Sequence, residues 1–219
     1  MKRAIRSGAE LRRRLRLPAD ESAEAAESFS TFVPEEFLRR IEPGNPHDPL
    51  LRQVLPLSAE LADRRGYAAD PVGDLGSIAA SGLLHKYDRR ALLITTGACG
   101  VHCRYCFRRE FPYQAAHPAD PDLQPPLDYL RAHPEIDEVL LSGGDPLTLV
   151  DEKLFGLVSE IESLQQVRRL RIHTRMPVGG TRQGTQSQCQ TLMTRGEHGS
   201  REHRRSGLGQ WFLAVRTTG

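Results

Sequence analysis

Between residues 91 and 174 the apolar positions change their period from one segment to the next. "ALLITT" (91–96) is a continuous apolar and β-branched run, the pattern of a strand buried on both faces of a parallel sheet. "DLQPPLDYLRAH" (122–133) sets Leu123, Leu127 and Leu130 at i, i+4 and i+7, which is one face of a helix. Its prolines fall in the first turn, where a missing N–H costs little. "DEVLLS" (137–142) predicts a second strand, stopped by Gly143-Gly144. Leu154, Leu157, Val158, Ile161 and Leu164 predict a second helix over 149–164, and "VRRLRIHT" (167–174) predicts a third strand.

Strand, helix, strand, helix, strand implies right-handed βαβ crossovers and a parallel sheet. Ligands of such folds gather at the C-terminal ends of the strands. Three unusual segments follow those ends: the cysteine-bearing stretch 97–109, "SGGDP" (142–146) and "HTR" (173–175).

The flanks are less regular. "LRRRLRL" (11–17) predicts a short basic helix, and "VPEEFLRRI" (33–41) a helix opened by Pro34 and two acidic residues. "EPGNPHDPLLRQVLP" (42–56) is punctuated by turn residues, with one helical turn at 49–54. Residues 1–90 therefore read as an N-terminal helical extension, and 91–178 as the α/β part. Residues 179–219 are mostly Gly, Arg, Ser, Thr and Gln, with one apolar cluster, "WFLAV" (211–215). Such composition buries too little apolar surface to offset chain entropy, so a disordered tail is expected.

Composition narrows the class further. With 219 residues, 38% hydrophobic and 26% charged, the chain reads as globular, one large domain or two small ones. A net charge of +2 makes no general case for a nucleic-acid or membrane partner. No apolar run approaches the ~18 residues of a membrane span. "MKRAIRSGAELRRRLRLPAD" lacks the apolar segment of a secretory signal, so a cytoplasmic location is expected. The charge is uneven: residues 179–219 hold six Arg and two acidic residues, a net of +4, which leaves −2 for the rest.

"GACGVHCRYCFRR" (97–109) holds three of the four cysteines, Cys99, Cys103 and Cys106; the fourth is Cys189. An odd set does not make a disulfide framework. Isolated cysteines are often only small buried hydrophobes, but three within eight residues beside Gly97 and Gly100 are poorly explained that way. A structural zinc site would need a fourth ligand, from His102 or Cys189. The remaining reading is a four-iron cluster held by three thiolates, with one iron left open.

Cys99-x3-Cys103-x2-Cys106, with the aromatic Tyr105 before the last cysteine, resembles the radical S-adenosylmethionine (SAM) superfamily. The flanks "GLLHKYDRRALLITTGACGVHCRYCFRREFPY", "LLSGGDPL" and "GNPHDPLLRQVLP" resemble the lysine 2,3-aminomutase family, and most of all its bacterial branch acting with elongation factor P. The likeness covers residues 33–178. It implies an isomerase that converts L-α-lysine to (R)-β-lysine through a 5′-deoxyadenosyl radical, using a 4Fe-4S cluster, S-adenosyl-L-methionine and pyridoxal 5′-phosphate. It also implies a reductant protein such as flavodoxin or ferredoxin; from charge and hydropathy, no nucleic acid or membrane partner is expected. Carried over by position, Cys99, Cys103 and Cys106 ligate the cluster and Tyr105 lies near the adenine. Ser142, Gly143, Gly144 and Asp145 receive the methionyl group, the glycines by close backbone approach and the acid by facing its ammonium. Arg90 meets the pyridoxal phosphate group and Arg108 the substrate carboxylate. Arg175 is expected as a further anion contact, while His102 and His173 are expected to support the site or to be solvated rather than to ligate.

The likeness ends near Val178, so the fold expected is an N-terminal helical extension plus an incomplete, half radical-SAM β/α barrel, truncated and followed by a tail in a shifted frame or of chimeric origin. The family's Schiff-base lysine has no counterpart among Lys2, Lys86 and Lys153. The third strand is expected to be an open edge. Two other readings stand beside the mutase: a fragment that binds the cluster and cleaves SAM without rearranging lysine, and a non-enzymatic zinc or interaction module.

Overall fold

The computed structural model describes residues 4–19, 27–62, 65–116 and 124–176, and the backbone of 202–205 and 211–216. Contacts divide the chain into two units. One holds the described residues up to Pro71 together with Gly100–Glu110. The other holds Val72–Cys99, the described residues from Phe111 onward to Met176, and the C-terminal strands.

In the first unit, β1 (Ala4–Ile5) pairs antiparallel with β2 (Val33–Pro34). Helix α1 (Gly8–Arg14) starts at Ser7, whose hydroxyl accepts from the Glu10 amide. Glu10 in its first turn and Arg12, Arg13 and Arg14 in its last complement the helix dipole. Helix α2 (Glu35–Leu38) follows Pro34, with both glutamates in its first turn. These are the helices predicted at 11–17 and 33–41, shifted or shortened, and the predicted turn at 49–54 is a 3-10 turn over Leu51–Gln53. Ile5, Leu11, Phe37, Leu51 and Val54 form the core of this unit, and Val101 and Cys103 are buried in the same cluster.

The second unit is built on a sheet. β3 (Ile78–Ala80) and β4 (Leu83–Tyr87) precede β5 (Arg90–Thr96) as antiparallel neighbours. Helices α3 (Tyr113–Ala116) and α4 (Gln124–Ala132) lead to β6 (Glu138–Gly143), and α5 (Asp151–Glu162) leads to β7 (Arg169–Thr174). β5, β6 and β7 run parallel, with Leu93 opposite Leu141 and Leu141 opposite Ile172. Val139, Leu141, Leu170 and Ile172 pack against Leu127 and Leu130 of α4 and Leu154, Leu157, Val158 and Ile161 of α5. Because side chains alternate across a strand, the other face carries Arg90, Glu138, Arg169 and Arg171. All three predicted parallel strands are present within two residues of their expected bounds.

Two expectations change. Residues 78–87, read as part of a helical extension, form strands, so the sheet is mixed and open rather than a parallel half barrel. The β4–β5 turn at Asp88-Arg89 lacks the Gly or Asn of the favoured two-residue turns, which hid the hairpin. At the other side, β8 (Glu202–Arg205) and β9 (Trp211–Arg216) extend the strand order to β3-β4-β5-β6-β7-β9-β8. β9 lies antiparallel along β7, Leu170 opposite Val215, so the edge expected to be open is paired. The remainder of the predicted disordered tail, Cys189 included, lies outside the described residues. Among the described residues no helix is long and apolar enough to cross a membrane.

Candidate functional site

The C-terminal ends of β5, β6 and β7 meet as the strand pattern predicts, and the turn after β6 joins them. The Gly144 amide donates to the Thr96 carbonyl (2.6 Å) and the Asp145 amide to the Ala98 carbonyl (2.7 Å). Thr95 Oγ1 donates to the Ser142 carbonyl (3.0 Å), and the Tyr113 hydroxyl to that of Gly143 (2.9 Å). Gly143 has a φ of +108°, and a Cβ there would lie 2.7 Å from the Thr96 carbonyl oxygen. A Cβ on Gly144 would lie 2.1 Å from the Ala98 carbonyl oxygen. The glycines are therefore required by the approach of the chain leaving β5, a different reason from the ligand approach expected of them.

Asp145 is also placed differently from expectation. Its carboxylate accepts from Leu147 N (3.0 Å), Thr174 Oγ1 (2.6 Å), Arg175 N (2.6 Å) and Met176 N (3.2 Å), with the residue only 4% exposed. Burial raises its pKa, and those four hydrogen bonds oppose the rise. A carboxylate so committed does not face a ligand's ammonium; it ties the glycine turn to the "HTR" segment. Ser142 and Arg175 are buried as well, and His173 is half-buried.

Cys99 ends this unit's share of the cysteine loop and is half-buried. Cys103 and Cys106 fall in the first unit, Cys103 buried and Cys106 half-buried, with none of the three in a disulfide. Tight turns shape this stretch: Cys106 N donates to Cys103 O (3.0 Å) and Arg109 N to Cys106 O (3.2 Å). Two backbone bonds strap it to the N-terminal segment, His102 N to Phe32 O (3.0 Å) and Arg104 N to Gln53 O (2.8 Å). The His102 ring meets Ser30 through Nδ1 and lies near the rings of Phe29 and Phe32. Burial lowers its pKa; the Ser30 bond opposes this, and the charges of Arg104 and Arg6 add to it. That setting suits a supporting histidine. Tyr105 is exposed and its hydroxyl donates to Gln53 Oε1 (3.3 Å). Arg108 is buried, its guanidinium 4.7 Å from the centre of the Phe107 ring.

Arg90 occupies the opposite end of its strand from the glycine turn, about 20 Å away along β5. There Glu138, itself buried, meets three guanidinium groups: Arg90 Nε at 3.1 Å, Arg169 Nη1 at 3.1 Å and Arg171 Nε at 2.7 Å. Glu138 escaped sequence reading, although Arg90, Glu138 and Arg169 share one register across three strands. Glu60 escaped it too, since nothing in "LSAELADRR" (57–65) marks it. Its carboxylate receives Arg104 Nε and Nη2 and Arg109 Nη1.

Among the described residues no three His, Cys, Asp or Glu side chains stand together as a metal-holding group. The donor chemistry nonetheless fits an iron–sulfur cluster: three thiols on one short loop are soft ligands of the kind such clusters take. The described lysines fit pyridoxal phosphate less well. Lys86 and Lys153 are both exposed, without the burial that readies a lysine for covalent attachment.

No family model matches the sequence. L-lysine 2,3-aminomutase of Escherichia coli (strain K12) is 46% identical over 173 residues, 77% of this chain and 50% of that protein. The protein of the same name from Haemophilus influenzae is 43% identical over 181 residues, covering 81% of this chain and 54% of its own length. That of Clostridium subterminale is 32% identical over 173 residues, 77% of this chain and 42% of its own. The chain thus spans about half the length of the curated relatives it matches. Alignments this long within 219 residues take in both the cysteine loop and the glycine turn.

Proposed function

From a chain homologous to lysine 2,3-aminomutases over about half of their length, we propose the cluster- and SAM-binding portion of a radical isomerase acting on L-lysine. The observation that carries this reading is 46% identity across a span that includes Cys99, Cys103 and Cys106. In it, the three thiolates hold a 4Fe-4S cluster, which when bound supplies the electron that cleaves SAM. Tyr105, exposed beside Cys106, offers a ring to the adenine. The methionyl group sits at the turn Ser142–Asp145, which Asp145 and Thr174 hold rigid from behind. Arg108 is poised for the substrate carboxylate and Arg90 for the phosphate of pyridoxal phosphate, since a planar guanidinium matches both oxyanions. Arg90 would have to share its charge with Glu138. (R)-β-lysine for elongation factor P is the proposed product and use, with a flavodoxin- or ferredoxin-like reductant and a cytoplasmic setting. Among the described residues, the exposed positions of Lys86 and Lys153 give pyridoxal phosphate no sheltered anchor.

Anaerobic reconstitution of residues 1–219 tests the reading, with iron and zinc counted per chain and 5′-deoxyadenosine assayed after addition of dithionite and SAM. About four irons per chain, with deoxyadenosine formed, is the expected result, and Cys103→Ala should abolish both. Stoichiometric zinc in place of iron would overturn it in favour of a zinc module.

A further inference from the structure

We propose that Glu60 is a positioning residue for the cysteine loop, acting through Arg104 and Arg109 to fix the segment that carries Cys103 and Cys106. The inference rests on the reading of that loop as the cluster site.

The segment 100–110 has no helix or strand of its own, so only its contacts fix its shape. Arg104 immediately follows Cys103, and its side chain is 5% exposed. Its Nε lies 3.0 and 3.1 Å from the two Glu60 oxygens, its Nη2 2.6 Å from Oε2, and its Nη1 donates to the Phe29 carbonyl at 2.5 Å. Arg109, three residues after Cys106, reaches the same carboxylate through Nη1 at 3.1 Å and Ser28 Oγ at 3.3 Å. Both guanidinium groups sit 5.1 Å from the centre of the Phe29 ring. Glu60 is itself held by the Leu57 amide at 3.0 Å.

One carboxylate therefore grips the loop on both sides of Cys106, before it and after it. The fork geometry matters: a guanidinium bound at two edges has a fixed orientation, whereas an ammonium would leave the backbone free to turn. Groups that orient metal ligands from one shell out typically change metal affinity by ~10–100-fold when removed. A surface ion pair would do far less, but the Arg104 side chain is buried, so its partner's loss is felt by the loop.

The test uses the full chain with Glu60→Gln, Arg104→Lys and, as a control, Glu35→Gln, which breaks the Arg14–Glu35 pair of the same unit. The first readout is the alkylation rate of Cys103 and Cys106 by iodoacetamide in the metal-free chain, resolved by mass spectrometry. The second is iron affinity after anaerobic reconstitution, with the electron paramagnetic resonance signal of the reduced cluster. Both loop variants should alkylate Cys103 several-fold faster than wild type and bind iron about tenfold more weakly, while the control matches wild type. Unchanged alkylation and iron affinity in the two loop variants would overturn the proposal, as would an equal change in the control. Should Glu60→Gln fail to fold, Arg104→Lys, which keeps the charge and loses the fork, decides. A wild-type chain that takes up no iron refutes the cluster reading, and alkylation alone then decides whether Glu60 orders the loop.

Discussion

Thr174 Oγ1 donates a 2.6 Å hydrogen bond to Asp145 Oδ1, joining the last residue of β7 to the turn that follows β6. Both residues are buried, and the same hydroxyl accepts from Met176 N at 3.0 Å. Thr174→Val keeps the shape and removes the donor, leaving a buried carboxylate short of one partner. The expected loss is about 1–3 kcal/mol of unfolding free energy. A urea titration showing a lower midpoint at unchanged slope would bear this out, with Thr174→Ser close to wild type.

Alanine at Gly144 and at Gly156 should move stability in opposite directions. At Gly144 the new Cβ would meet the Ala98 backbone at 2.1 Å, so the strand ends must separate, at a cost of about 1–3 kcal/mol or more. At Gly156, on the exposed face of helix α5, nothing lies within 4 Å, and alanine should stabilise by about 0.5–1 kcal/mol. Thermal melts of the two variants side by side check both signs.

Glu138→Gln removes the carboxylate that Arg90, Arg169 and Arg171 share. The arginine ends reach solvent, so the loss should fall below the ~3–5 kcal/mol of a fully buried pair, near 1–3 kcal/mol. Added phosphate or sulfate should restore part of it by neutralising the arginines. A melting temperature that ignores both the substitution and the anion would count against this arrangement.

Asp145 and Glu60 should give opposite pH dependences. Burial raises the Asp145 pKa, so the folded state holds its proton more tightly than the unfolded chain does. Its contribution is largest at low pH and declines as pH rises from the ordinary carboxylate value through the raised folded value. Burial also pushes Glu60 upward, but the bonds from Arg104, the Leu57 amide and Arg109 and the charge of Arg104 carry it below its ordinary value. Its contribution is present above the unfolded pKa and lost as pH falls through the depressed one. Subtracting the stability-versus-pH curve of Asp145→Asn, and separately of Glu60→Gln, from wild type should give differences of opposite slope in acid.

The parallel strands were legible because burial on both faces forces an apolar run, as in "ALLITT", whatever surrounds it. Their C-terminal edge was legible for the same reason: strand order alone assigns 97–99, 142–145 and 173–175 to one end. The β4–β5 hairpin was not, since His85, Lys86 and Tyr87 on a half-exposed strand carry no alternation and Asp88-Arg89 is no strong turn signal. Nor were the partners of the polar groups. Asp145 reads as a ligand contact until its four donors are known, and three of those donors come from residues about thirty positions later. Glu60 meets Arg104 across 44 residues of chain, a pairing that no local pattern announces.

The hairpin at β4 and β5 has a further consequence for assembly. Because β3 and β4 occupy one side of β5, β6 has a single flank to join, and β7 then a single flank on β6. As far as β7 the spatial order repeats the order in which a ribosome delivers the strands, so each pairs with the strand delivered just before it. The sheet thus grows by a strand at a time, each addition short in range along the chain.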